Sequence, residues 1–130
     1  MNTLDEQLAF AMCLEDPKHA KRLVRPVLDA AEAAGDARLE ALALAGLAEC
    51  DSLLCNYREA QSSATRAARI FQTLGDLQQE AHALTIAARA SSALGRNETA
   101  VEASLLALEL ARRANDSRTV SVALSQLGHA

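Results

Sequence analysis

The chain of 130 residues has no tryptophan, one tyrosine and two phenylalanines. Strands favour aromatic and β-branched side chains, so this scarcity excludes a sheet as the main scaffold. It leaves the apolar half of the composition, mostly alanine and leucine, to close-packed helices. Cationic excess is also missing. The formal charge is −4 and the isoelectric point near 5.3, so no global positive field gathers nucleic acid or anionic lipid, and neither is expected as a partner. No apolar run reaches the length of a membrane span, and "MNTLDEQLAF" carries acids where a secretory signal would carry bases, which points to the cytoplasm.

Cysteine is sparse and odd in number. Cys13, Cys50 and Cys55 lack C-x-x-C spacing and fall in helical segments, so they are expected to be small buried hydrophobes in a reducing compartment, not disulfides or zinc ligands. Phosphate loops, H-E-x-x-H, G-x-S-x-G and EF-hand patterns are missing, and His19, His82 and His129 are scattered. The expectation is no catalysis, no metal and no cofactor. His82 and His129 fall near one surface in adjacent units, which keeps a ligand reading open.

What is present is a repeat. At a shift of forty residues Leu4, Leu44, Leu84 and Leu124 align, as do Leu14, Leu54 and Leu94, and Ala20, Ala60 and Ala100. The turn residues align too: Gly35-Asp36, Gly75-Asp76 and Asn115-Asp116. Leu44, Leu47, Ala48 and Leu54, and again Leu84, Ala87, Ala88 and Leu94, follow helical spacing and predict a first helix in each unit. It ends near Cys55-Asn56 or Gly95-Arg96. A second helix runs from about Tyr57 to Leu74 and from about Asn97 to Ala114, with Ala60, Ala64, Ala67 and Phe71, or Ala100, Ala107, Leu108 and Ala111, on one face. Gly75 ends a helix and Asp76 caps the next, with Glu80 near the positive end of the dipole. Asp36, Asp76 and Asp116 are thus read as caps, not as catalytic acids. The domain is one array: repeats 1–40, 41–80, 81–120 and a truncated fourth over 121–130. Val122, Leu124 and Leu127 are apolar for a solvent-facing end, so the expectation is an N-terminal piece of a longer protein.

These residues resemble the tetratricopeptide repeat family. "LSQLGHA" from Leu124 matches the L-x-x-L-G type pattern of its first helix. "LLCNYREA" from Leu53 and "LGRNETA" from Leu94 match the L-G-x-Y-x-x-A turn into its second. The forty-residue period resembles the variant of Pins/LGN-type adaptors and of N-terminal regions in bacterial signalling proteins. Ala48 and Ala88 replace the family's glycine, Cys55 replaces another, and Asp51 or Ser91 stands where an aromatic is expected. Asp51 is read either as a buried acid of a functional pocket or as a residue reaching solvent or capping a neighbour. Pro26 falls inside the first unit's second helix, where a kink or break is expected.

The resemblance implies an all-α, right-handed solenoid of antiparallel helix pairs, about seven helices in all, with first helices lining a concave groove. By register the groove receives Asn2, Asp5, Ala9 and Met12; then Leu42, Ala45, Glu49 and Ser52; then His82, Thr85, Arg89 and Ser92; and beyond them Val122, Ser125 and His129. Glu49 and Arg89 either pair with each other or hold a ligand. The lysines and asparagines of a chaperone-type carboxylate clamp are not there, so that specificity is not carried over. Lys18, Lys21, Arg22 and Arg25, with Arg66, Arg69, Arg112 and Arg113, belong to second helices, as a solvated convex face or a patch for an acidic partner. The function expected is a non-catalytic protein or peptide binding module, the regulatory or scaffolding part of a cytoplasmic signalling protein. Alternatives are a ligand sensor controlling an attached domain, such as a diguanylate cyclase or a DNA-binding output, and a dimerisation spacer using Val122, Leu124 and Leu127.

Overall fold

The computed structural model describes residues 3–12, 16–115 and 117–128. Seven helices and no strand occur among them: α1 (Leu4–Met12), α2 (Pro17–Ala34), α3 (Ala37–Leu53), α4 (Tyr57–Leu74), α5 (Leu77–Ala93), α6 (Asn97–Arg113) and α7 (Ser117–Gly128). From α2 onward a helix begins every twenty residues. The left-handed residues between helices keep the same count, at Gly35, Cys55, Gly75, Gly95 and Asn115. A backbone at positive φ suits glycine and, less well, asparagine, and Cys55 occupies it at φ 64° against the steric preference of an L residue. The thiol is therefore exposed at a helix end, not buried as expected, whereas Cys50 is buried; Cys13 lies outside the described residues.

The turns between α2 and α3, α3 and α4, α4 and α5, and α5 and α6 close in the same way. Asp76 N–H donates to the Phe71 carbonyl and Gly75 N–H to that of Gln72, and the Asp51, Ser52 and Ser91, Ser92 carbonyls are satisfied alike. Asp16, Asp36 and Asp76 then cap α2, α3 and α5 by accepting from the Lys18, Leu39 and Gln79 amides at 3.0, 3.1 and 3.2 Å. Asp116 lies outside the described residues. Pro26 does not break its helix, since α2 runs unbroken through it. It sits on the exposed face, where water can satisfy the Arg22 carbonyl that its missing N–H leaves unbonded.

Burial follows the forty-residue register. Val27, Ala67 and Ala107 are fully buried, as are Ala31, Phe71 and Ala111 on the second helices and Ala43, Ala83 and Ala123 on the first. Small side chains on both faces let consecutive helices pack closely, with Phe71, Leu44 and Ile86 filling the larger spaces. Each helix packs on the next. In addition the backbones of α1 and α3, α3 and α5, and α5 and α7 come close, while those of α2, α4 and α6 stay apart. The short α1 seats Met12 over Gly46, where a β-carbon would lie 2.7 Å from the Met12 sulfur. None of the helices among the described residues is long and apolar enough to cross a membrane.

Candidate functional site

The face shared by α3, α5 and α7 bears a cleft of about 540 Å³. Its walls come from staggered turns: a late turn of α3, most of the length of α5 and the first turns of α7. Glu49 comes from α3; His82, Thr85 and Arg89 come from α5; Arg118, Thr119 and Val122 come from α7. The caps at Asp36 and Asp76 fix where α3 and α5 start and so set the register in which Glu49 meets His82.

Glu49 and Arg89 do not pair with each other. Glu49 Oε1 instead accepts from His82 Nε2 at 2.8 Å, because position 82 lies 33 residues on and its ring reaches across the α3–α5 seam. Both side chains keep solvent access, at 35% for Glu49 and 45% for His82. Arg89 stays exposed and makes no ion pair among the described residues, and neither does Arg118. The Arg89 and Arg118 guanidinium groups thus border the same cleft as the Glu49–His82 hydrogen bond.

Four other groove positions fall elsewhere. Ala45 is buried and Leu42 packs against the core. Ser52 and Ser92 are half-buried, one turn beyond the cleft wall. Thr85 lines the cleft, yet it is 2% exposed and its hydroxyl donates to the His82 carbonyl of its own helix at 2.6 Å, which leaves it unable to donate to a ligand. Ala9 is exposed on α1, Met12 is half-buried against Gly46 and Ser125 is exposed on α7. Asn2, His129 and the side chain of Asp5 lie outside the described residues. Gln78, Gln79, Arg118 and Thr119 line the cleft unannounced. Gln78 and Arg118 precede His82 and Val122 by four residues, so carrying the same helical face one turn earlier finds them.

Asp51 is neither a groove acid nor solvated. It is 2% exposed, and its Oδ1 accepts from Lys21 Nζ at 2.6 Å and from Asn56 Nδ2 at 3.2 Å, tying α2 to the end of α3. Lys21 thereby leaves the solvated basic face. Among the described residues Cys50, Tyr57 and Glu80 have raised pKa values, the hydrogen bond to the Cys55 sulfur being the main cause at Tyr57. Burial raises the Cys50 thiol, helped by Asp51 and Glu49. Burial also raises the Glu80 carboxyl, with Arg113 opposing. None of the three lines the cleft. Among the described residues no His, Cys, Asp or Glu cluster is placed to hold a metal.

At the far end, the three residues of the proposed dimer edge separate. Leu127 packs against the core of α5, α6 and α7, Val122 lines the cleft, and Leu124 is 49% exposed. Comparison with curated proteins finds no match. Over residues 5–118, most of its length, the chain matches the family model described as Domain of Unknown Function (DUF3856), and it belongs to that family.

Proposed function

We propose that this chain is a non-catalytic, tetratricopeptide-like repeat module that binds an acidic segment of a partner protein in the cleft of α3, α5 and α7. Support comes above all from Arg89 on α5 and Arg118 on α7, two guanidinium groups at the rim of one cleft with no ion pair among the described residues. The forty-residue period and consecutive helix packing support a solenoid of antiparallel pairs, and the close approach of α1, α3, α5 and α7 in succession supports placing its concave side there. Arginine forks recognise carboxylates in two-pronged fashion, and Arg89 and Arg118 bring two such forks to one cleft. A regulatory or scaffolding role in a cytoplasmic signalling protein accords with this module type.

The experiment is a displayed library of short peptides selected on the wild-type chain and on the double variant Arg89→Ala/Arg118→Ala. Wild type should enrich peptides bearing aspartate or glutamate, and the variant, still helical by circular dichroism, should lose that enrichment. Equal enrichment by both proteins, or none by wild type, would sink the assignment.

A further inference from the structure

The outer faces of α4 and α6 carry opposite charge at equivalent positions. Arg58 on α4 corresponds to Glu98 on α6, forty residues later, and Arg69 corresponds to Glu109. Between them, Ser62 and Arg66 correspond to Glu102 and Leu106. All eight residues are exposed. Arg58, Arg69, Glu98, Glu102 and Glu109 make no ion pair among the described residues, and Arg66 makes only a long one of 3.9 Å to Glu32. The basic stripe borders a cleft of about 420 Å³, to which Arg96 adds a further positive charge. The acidic stripe carries Leu105 and Leu106, 52% and 43% exposed, and lies ahead of Arg112 and Arg113 in the last turn of α6.

Arg58 and Arg69 are eleven residues apart on one helix, and so are Glu98 and Glu109, so each pair spans roughly 16 Å at the helical rise. The spacing of the positive stripe is therefore the spacing of the negative one. We propose that two copies of the chain associate through these faces, α4 of one lying on α6 of the other and the reverse, about a two-fold axis between the helices. Such an arrangement uses both stripes of both copies and closes, so no filament forms. A foreign acidic protein would neutralise α4 only and leave the acids and leucines of α6 uncovered. The surface is distinct from the cleft of α3, α5 and α7, so groove binding and self-association can succeed or fail separately.

Each exposed ion pair is weak alone, and salt screens them together, so association must be salt-sensitive. Sedimentation velocity of the 130-residue chain should show dimer at about 50 mM NaCl and monomer at about 500 mM, where the Debye length falls well below the stripe length. Reversing one stripe, with Arg58→Glu/Arg66→Glu/Arg69→Glu or with Glu98→Arg/Glu102→Arg/Glu109→Arg, should weaken dimerisation about tenfold or more. An equimolar mixture of the two variants should restore it as a heterodimer. Monomer at both salt concentrations, association indifferent to salt as an apolar Leu124 contact would give, or a mixture that stays monomeric would overturn the proposal. Should a triple variant unfold, the wild type's salt dependence and the single change Arg69→Glu decide the matter.

Discussion

Two joints of the stack are built alike from different chemistry. Between α2 and α3, Lys21 and Asn56 converge on one carboxylate oxygen of buried Asp51. Between α4 and α5 the equivalent positions hold Gln61, Ser91 and Arg96: the Gln61 amide donates to Ser91 Oγ at 2.8 Å and its oxygen accepts from Arg96. The helices meet in the same way in both. Both joints have one donor–acceptor bridge between a second helix and the neighbouring first helix, ionic at Lys21–Asp51 and neutral at Gln61–Ser91. Charge sets the penalty for removing half of the bridge, since an unpaired buried carboxylate is far costlier than an unpaired hydroxyl.

The largest expected effect separates the joints directly. Lys21→Ala should lower unfolding stability by roughly 3 kcal/mol, while Gln61→Ala at the neutral joint should lose about 1 kcal/mol. Installing the neutral pair in the ionic joint, Lys21→Gln with Asp51→Ser, should return stability to within about 1 kcal/mol of wild type in urea titrations. Equal losses from the two single changes would erase the distinction. A smaller effect contrasts the turns beside these joints, where Cys55 and Gly95 share the left-handed backbone at φ 64° and 79°. Cys55→Gly should raise the thermal midpoint by an amount equivalent to about 1 kcal/mol, and Gly95→Ala should lower it similarly.

The smallest effect concerns Glu80, whose carboxyl is raised by burial. A folded-state acidity above the unfolded value of about 4.3 means that the native chain holds this proton to higher pH, so stability declines as pH rises through that window. Glu80→Gln should be slightly more stable than wild type at neutral pH, with the advantage vanishing below about pH 4.3. A difference that is flat with pH would assign the burial penalty elsewhere.

Helix type, number and boundaries were legible because they rest on local rules. The forty-residue register, the Gly-Asp turns and the small-residue faces each predict a backbone event within a few residues, and α4 begins and ends where Tyr57 and Leu74 place it. Side-chain pairing was less legible because it depends on reach across a seam. Glu49 selects His82 over Arg89, and Lys21 finds Asp51, according to which rotamer meets the neighbouring helix. Pro26 misled because its disruption depends on exposure: on a wet face a lost backbone bond is replaced by water. The cleft's α7 wall was foreshadowed only by Val122, since the helical face was not traced back to Arg118.

The pattern in which each helix packs mainly on its immediate successor has a kinetic consequence. Nearly every contact joins residues within two helices of each other, so little loop entropy must be spent before contacts form, and folding can start at any helix pair and spread in both directions. Among the described residues α1 is held by α2 and α3 alone, so it should open more readily than α3 or α5. Neighbouring helix pairs can thus open without the whole stack, and amide exchange should be slowest around fully buried Phe71.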